Sequence, residues 1–125
     1  MSGQRDLDGR LFEFAVGVVE FLKLMPYSPE NKVFRMQLTK SATSAGANYE
    51  EAQGGSSRAD FVNKVRIALR EMRESNYWLR IIKRTVDGID GEVLDALIIE
   101  SAELKKILGA IVQRSREDKN LKDKR

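Results

Sequence analysis

The chain has no cysteine and no histidine. Their absence rules out a disulfide framework, a thiolate or imidazole metal site, and the Ser-His and Cys-His dyads of nucleophilic catalysis. Carboxylate-bridged di-iron bundles need Glu-x-x-His pairs on inward faces, so they are disfavoured with them. Proline occurs only at Pro26 and Pro29, so no proline breaks a helix beyond that point. No apolar run approaches the roughly 20 residues of a membrane span. The opening MSGQRDLDGR has no apolar segment of the secretory-signal kind. There is no P-loop and no GxGxxG, and Gly54-Gly55-Ser56-Ser57 reads as a glycine turn into a helix. No alternating strand pattern, internal repeat or low-complexity segment is visible. We therefore expect a cytoplasmic, non-enzymatic protein with no cofactor and no bound metal.

What is present is helical patterning. The 125 residues suit a single domain, with 42% hydrophobic and 33% charged side chains. The formal net charge is only +3, so an argument for a polyanionic partner must rest on where the charges lie. The organising stretch is Asp60 to Val86. Apolar or small residues recur at Phe61, Val65, Ala68, Met72, Ser75, Leu79, Ile82 and Val86, alternating steps of four and three. That is the heptad seam of a helix packed against other helices. On the other side stand Arg66, Arg70, Arg73, Tyr77, Arg80 and Arg84. Such a helix is roughly 40 Å long.

Around it the chain reads as four helices, at about 8–24, 29–53, 58–86 and 91–116, with a frayed charged tail at 117–125. Asp6 or Asp8 starts the first and Pro26 ends it. Its seam is Leu11, Ala15, Val18, Leu22 and Met25, with Phe12 and Val19 beside it. Ser28-Pro29-Glu30 starts the second. Its seam is Phe34, Leu38, Ser41, Ala45, Asn48 and Ala52, and the small residues Ser41 to Asn48 would let another backbone come close. Gly54-Gly55 stops it, and Ser57 with Asp60 resembles a capping box. Gly88 closes the third helix and Asp90 caps the fourth, whose seam is Leu94, Leu97, Ser101, Leu104, Leu108 and Ile111. Short turns between four amphipathic helices favour an all-α, antiparallel up-down-up-down four-helix bundle. Trp78, Phe14, Phe21 and Ile81 add apolar surface beyond one core, which suggests self-association.

Each polar feature has two readings. The arginine stripe is either a solvated face, with Arg70 and Glu74 as an i,i+4 pair, or a row of phosphate contacts with Tyr77 stacking on a base. A second basic region comprises Lys105, Lys106, Arg114, Arg116, Lys119, Lys122, Lys124 and Arg125. It either complements a helix C-terminus or acts together with the stripe. Glu50, Glu51, Glu71 and Glu74 read as exposed or arginine-paired. Ser41, Asn48, Ser75 and Ser101, with Asn76 beside them, read as hydroxyls and amides bonded back to the preceding turn; the alternative is a buried network fixing helix register.

The segment Gln37–Ile82 carries a combination of short signatures. These are Gln37-Leu38, Lys40-Ser41-Ala42, Ser44, Ala47-Asn48, Glu50 and Glu51, Gly54-Gly55, Ser57, Asp60-Phe61, Ala68 with Glu71, and Trp78-Leu79. Phe14-Ala15 and Leu24-Met25-Pro26 extend the pattern into the first helix. On these residues the chain resembles the four helix bundle proteins encoded in intervening sequences of bacterial 23S ribosomal RNA genes. Ala45 departs from the pattern, where a larger aliphatic residue is common. The resemblance implies an up-down bundle assembling into a ring, typically a homopentamer. The accessory protein of diversity-generating retroelements is similar in fold. It is basic, binds nucleic acid and partners a reverse transcriptase. The resemblance supplies no catalytic residues.

The expected function is therefore a non-enzymatic, oligomeric bundle that binds RNA or DNA. Arg66, Arg70, Arg73, Arg80 and Arg84 would contact phosphates, Tyr77 would stack, and Lys105, Lys106, Arg114 and Arg116 would assist. The alternative is an oligomeric protein-interaction scaffold with no affinity for nucleic acid.

Overall fold

The computed structural model describes residues 7–55 and 57–123, with side chains through Asp118. Four helices follow in order: α1 Leu7–Lys23, α2 Pro29–Gln53, α3 Arg58–Thr85 and α4 Gly91–Asp123. No strand occurs among the described residues. Each helix packs on its neighbour in sequence, and α4 returns to pack on α1, so the four enclose one core.

The helix starts follow from their caps. Ser28 Oγ accepts from Asn31 N at 3.0 Å, with Pro29 in the first turn. Ser57 Oγ accepts from Asp60 N at 3.0 Å. Asp90 Oδ1 accepts from Glu92 N and Val93 N at 3.1 and 3.2 Å. Each bond satisfies a backbone donor that the helix cannot. Asp6 lies outside the described residues, and Asp8 sits in the first turn of α1. The turn after α1 is held by α2. Arg35 donates to Leu22 O at 3.1 Å and to Met25 O, while Asn31 Nδ2 donates to Pro26 O at 2.8 Å. The helix α3 ends at Thr85 with Val86 extended, and Gly88 takes φ +74° in the turn that follows.

The core matches the seams closely on α3 and α4. Val65, Ala68, Met72, Leu79, Ile82, Leu94, Leu104 and Leu108 are essentially inaccessible. Burying each leucine contributes about 1.5–3 kcal/mol before chain entropy is counted. The small-residue face of α2 does what its spacing predicts. Ser41, Ala42 and Ala45 are buried, and a Cβ at Gly46 would stand 3.5 Å from Leu11 Cβ, so α1 lies close against this face.

Two expectations need correction. Phe14 and Phe21 are buried core residues rather than surplus surface. The exposed apolar side chains are instead Phe12, Val16, Leu24, Tyr27, Val33, Met36, Val93 and Ile99, together with Tyr77. The reason is that α1 packs between α2 and α4, so its buried stripe spans more than one seam. Tyr49, which no seam included, is also buried on α2. Finally, α4 does not stop near Arg116 but runs to Asp123. Gln113 donates to Glu117 one turn on, and Arg58 pairs with Asp118 at 3.1 Å, tying this last stretch to the start of α3.

The polar seam residues form more than local bonds. Ser41 Oγ and Ser75 Oγ are 2.8 Å apart across α2 and α3, and Ser75 also donates back to Glu71 O. Asn76 Nδ2 donates to Ser101 Oγ at 2.9 Å across α3 and α4, and Ser101 donates back to Ile98 O. These four residues thus form two buried inter-helix pairs, Ser41 with Ser75 and Asn76 with Ser101, beside their local bonds. Asn48 bonds only within α2, to Ser44. No buried side-chain polar atom among the described residues lacks a partner, which keeps this polar layer affordable in a core.

Candidate nucleic-acid interface

The arginine stripe sits at the positions following Val65, Met72 and Leu79, and again at Arg70, Tyr77 and Arg84. All six of its residues are exposed. What the heptad alone leaves open is which neighbour the stripe leans toward. Leu69 and Asn76, one turn after Val65 and Met72, are buried, and Asn76 bonds Ser101 of α4. The stripe lies just beyond Leu69 and Asn76 around the helix, so it faces the crease between α3 and α4.

Three depressions follow that crease. The first, about 420 Å³, is lined by Arg66, Arg70 and Arg73 from α3 and by Gln113 and Arg116 from α4. The second, about 490 Å³, is lined by Arg73, Asn76, Tyr77, Arg80, Lys105 and Lys106. The third is lined by Tyr77, Arg80, Lys83 and Arg84 of α3 and by Ile98 of α4. No aspartate or glutamate lines any of the three. The fold thus joins the two basic regions that the sequence kept apart. Arg114 is exposed but lines none of these depressions. The side chains of Lys119, Lys122, Lys124 and Arg125 lie outside the described residues.

Among the described residues the cations of the crease make no ion pair, except Lys83, which meets Asp95 at 2.7 Å. The ion pairs among the described residues use Arg10, Lys23, Arg58, Lys64 and Lys83. None involves Arg66, Arg70, Arg73, Arg80, Arg84, Lys105, Lys106, Arg114 or Arg116. The expected Arg70–Glu74 pair does not form, because Glu74 accepts from Trp78 Nε1 at 3.2 Å. Glu51 pairs with Lys64 at 3.4 Å, away from the stripe. Arg80 is the anchored member of the stripe. Its Nε donates to Asn76 Oδ1 at 2.9 Å, and its guanidinium carbon stands 5.8 Å from the Tyr77 ring centroid.

Glu71 is the acid closest in character to this face. Burial pushes its carboxyl above the ordinary value, Glu74 adds to the rise, and Arg70 and Lys40 pull the other way. Among the described residues no three carboxylates cluster closely enough to share a metal ion. The contrasting groove between α1 and α4 carries Asp8, Glu13, Glu50 and Glu100 around Phe12, Val93 and Leu97. Arg10 spans it with a two-pronged bond to Glu100, at 3.0 and 2.7 Å.

Comparison with known proteins follows the same lines. The family model for the 23S rRNA-intervening sequence protein matches residues 9–110. The chain belongs to that family. A crystal structure of a protein of unknown function from the S23 ribosomal protein family of Bacteroides thetaiotaomicron VPI-5482 is 38% identical in sequence. The likeness covers 85% of this chain and 97% of that one, with a TM-score of 0.76. No curated protein matches the chain. Family membership therefore settles the fold and leaves the activity to be argued from the crease. No described helix is long and apolar enough to cross a membrane.

Proposed function

We propose that this chain is a non-enzymatic, cytoplasmic nucleic-acid-binding protein that works as an accessory factor. One observation carries the reading: basic side chains from two helices line one continuous crease with no carboxylate lining it, and apart from Lys83 none of them is quenched by an ion pair among the described residues. A merely solvated helix face intersperses both signs, because unpaired like charges repel. From Arg66 to Arg84 the stripe rises about 27 Å. Contacts to about six phosphates along it would make affinity for a single strand fall roughly 300-fold between 50 and 200 mM salt.

The proposal includes an up-down-up-down antiparallel order, which the short turns favour, and self-association into a ring, five copies by the family resemblance. Exposed Phe12 and Val93 in the α1–α4 groove support self-association, since they lie together at one rim. The same groove supports the second reading, an oligomeric scaffold whose partner is a protein such as a reverse transcriptase. Light scattering with and without a structured RNA, at low and moderate salt, separates the two. A particle several times the 14.2 kDa of one chain that takes up RNA and sheds it as salt rises supports the proposal. A particle of that size that ignores RNA supports the scaffold.

A further inference from the structure

Tyr77 is the part of the crease that phosphate contact leaves unexplained. A stripe built only to neutralise a polyanion gains nothing from an aromatic ring in its middle, yet half of Tyr77 is open to solvent. The ring is also held in place. Trp78 meets it edge-on with centroids 5.5 Å apart. Trp78 is itself fixed, packing on Phe34 and donating to Glu74, so Tyr77 rests on an ordered support. Arg80 stands over the ring and is pinned through Nε to Asn76, which is buried and bonded into α4. That anchoring leaves both terminal nitrogens of the guanidinium for a fork-shaped acceptor such as phosphate. Lys105 and Lys106 face them from α4 across the same depression.

We infer that the crease takes an unpaired strand, one of whose bases stacks on Tyr77 while the adjoining phosphate is held by Arg80 with Lys105 or Lys106. The inference rests on the nucleic-acid reading above and narrows it to single-stranded segments. A duplex keeps its base faces stacked inside and offers this face only phosphates, which leaves Tyr77 without a role. An unpaired base has a free π-face, and a ring already immobilised loses little entropy in meeting it.

The test uses the full chain with two probes, a single-stranded oligonucleotide and a blunt duplex of the same length, at one salt concentration. Trp78 is the only tryptophan, and its contact with Tyr77 makes its emission a reporter of that site. The expected result is tighter binding of the single strand and an emission change that the duplex does not produce. Tyr77→Ala should weaken the single strand roughly 5- to 150-fold and leave the duplex nearly unchanged, while Tyr77→Phe keeps binding within about twofold. The side chain is half-exposed, so neither variant removes core packing. Equal binding of both probes, or a single strand indifferent to Tyr77→Ala, overturns this inference and leaves the nucleic-acid reading standing. Failure of both probes to bind overturns the two together.

Discussion

Removing Asn76 tests how the buried polar layer serves the surface. Its carboxamide donates to Ser101 Oγ at 2.9 Å, reaches Ile98 O at 3.4 Å, and accepts from Arg80 Nε at 2.9 Å. A neutral buried hydrogen bond is worth about 1 kcal/mol net, and one to a charged group about 1.5–3 kcal/mol. Arg80 is exposed, so its bond belongs at or below the lower figure. Ser101 keeps its bond to Ile98 O at 2.9 Å, so Asn76→Ala orphans no hydroxyl. These contributions sum to about 2–3 kcal/mol of lost stability. Unfolding entropy near 2.1 cal/mol/K per residue gives about 0.26 kcal/mol/K for 125 residues, hence a melting temperature lower by about 8–11 °C. Thermal unfolding at one fixed protein concentration measures it. Asn76→Ala, Ser101→Ala and the double variant close a cycle, with a coupling of at least about 0.5 kcal/mol expected. A shift below about 3 °C, or strictly additive losses, would refute the claim that these side chains form one network.

Other expectations concern charge, packing and assembly. Glu71→Gln should raise the melting temperature at pH 7 and leave it unchanged at pH 4. Its carboxyl is raised above the ordinary 4.5 when folded, so the unfolded chain releases that proton first as pH climbs. The folded state therefore loses stability between 4.5 and the raised value, and the glutamine escapes that loss. At Gly46, alanine should stabilise by up to about 1 kcal/mol in urea titration, since its Cβ would make an ordinary 3.5 Å contact with Leu11. Valine at the same position should instead cost about 1–3 kcal/mol by crowding α1. Phe12→Asp with Val93→Asp should reduce the particle mass seen by light scattering while each chain stays helical by circular dichroism. A mass unchanged by that pair would place the subunit contact elsewhere.

Legibility in the sequence varied with how one-sided each helix is. The seam of α3 could be read almost residue by residue, because large apolar groups keep strict three-four spacing and arginines mark the opposite side. The caps of α2, α3 and α4 were equally plain, since Ser28, Ser57 and Asp90 each precede a helical run. The pattern of α1 is ambiguous: apolar residues occupy most of its circumference, and a single seam missed Phe14 and Phe21. The length of α4 was underestimated because its last turns are polar and lack a core-facing stripe, the signal by which the other helices declare themselves. For the candidate interface, the sequence provided every basic residue but not their juxtaposition. Heptad position fixes an angle around one helix and says nothing of which neighbour stands there. Leu69 and Asn76, on the stripe's side of the seam and both buried, were the available hint.

The central claim is that unpaired cations of the α3–α4 crease hold a nucleic-acid backbone. Its most direct test compares the wild type with Arg70→Glu/Arg73→Glu for single-stranded RNA across a salt series, with circular dichroism confirming the fold. Both arginines are exposed and neither makes an ion pair among the described residues, so the fold should survive. The account predicts a large loss of affinity at low salt and a logarithmic salt slope shallower by about 1.4, the share of two phosphate contacts. A folded double variant that binds with unchanged affinity and unchanged slope would contradict it.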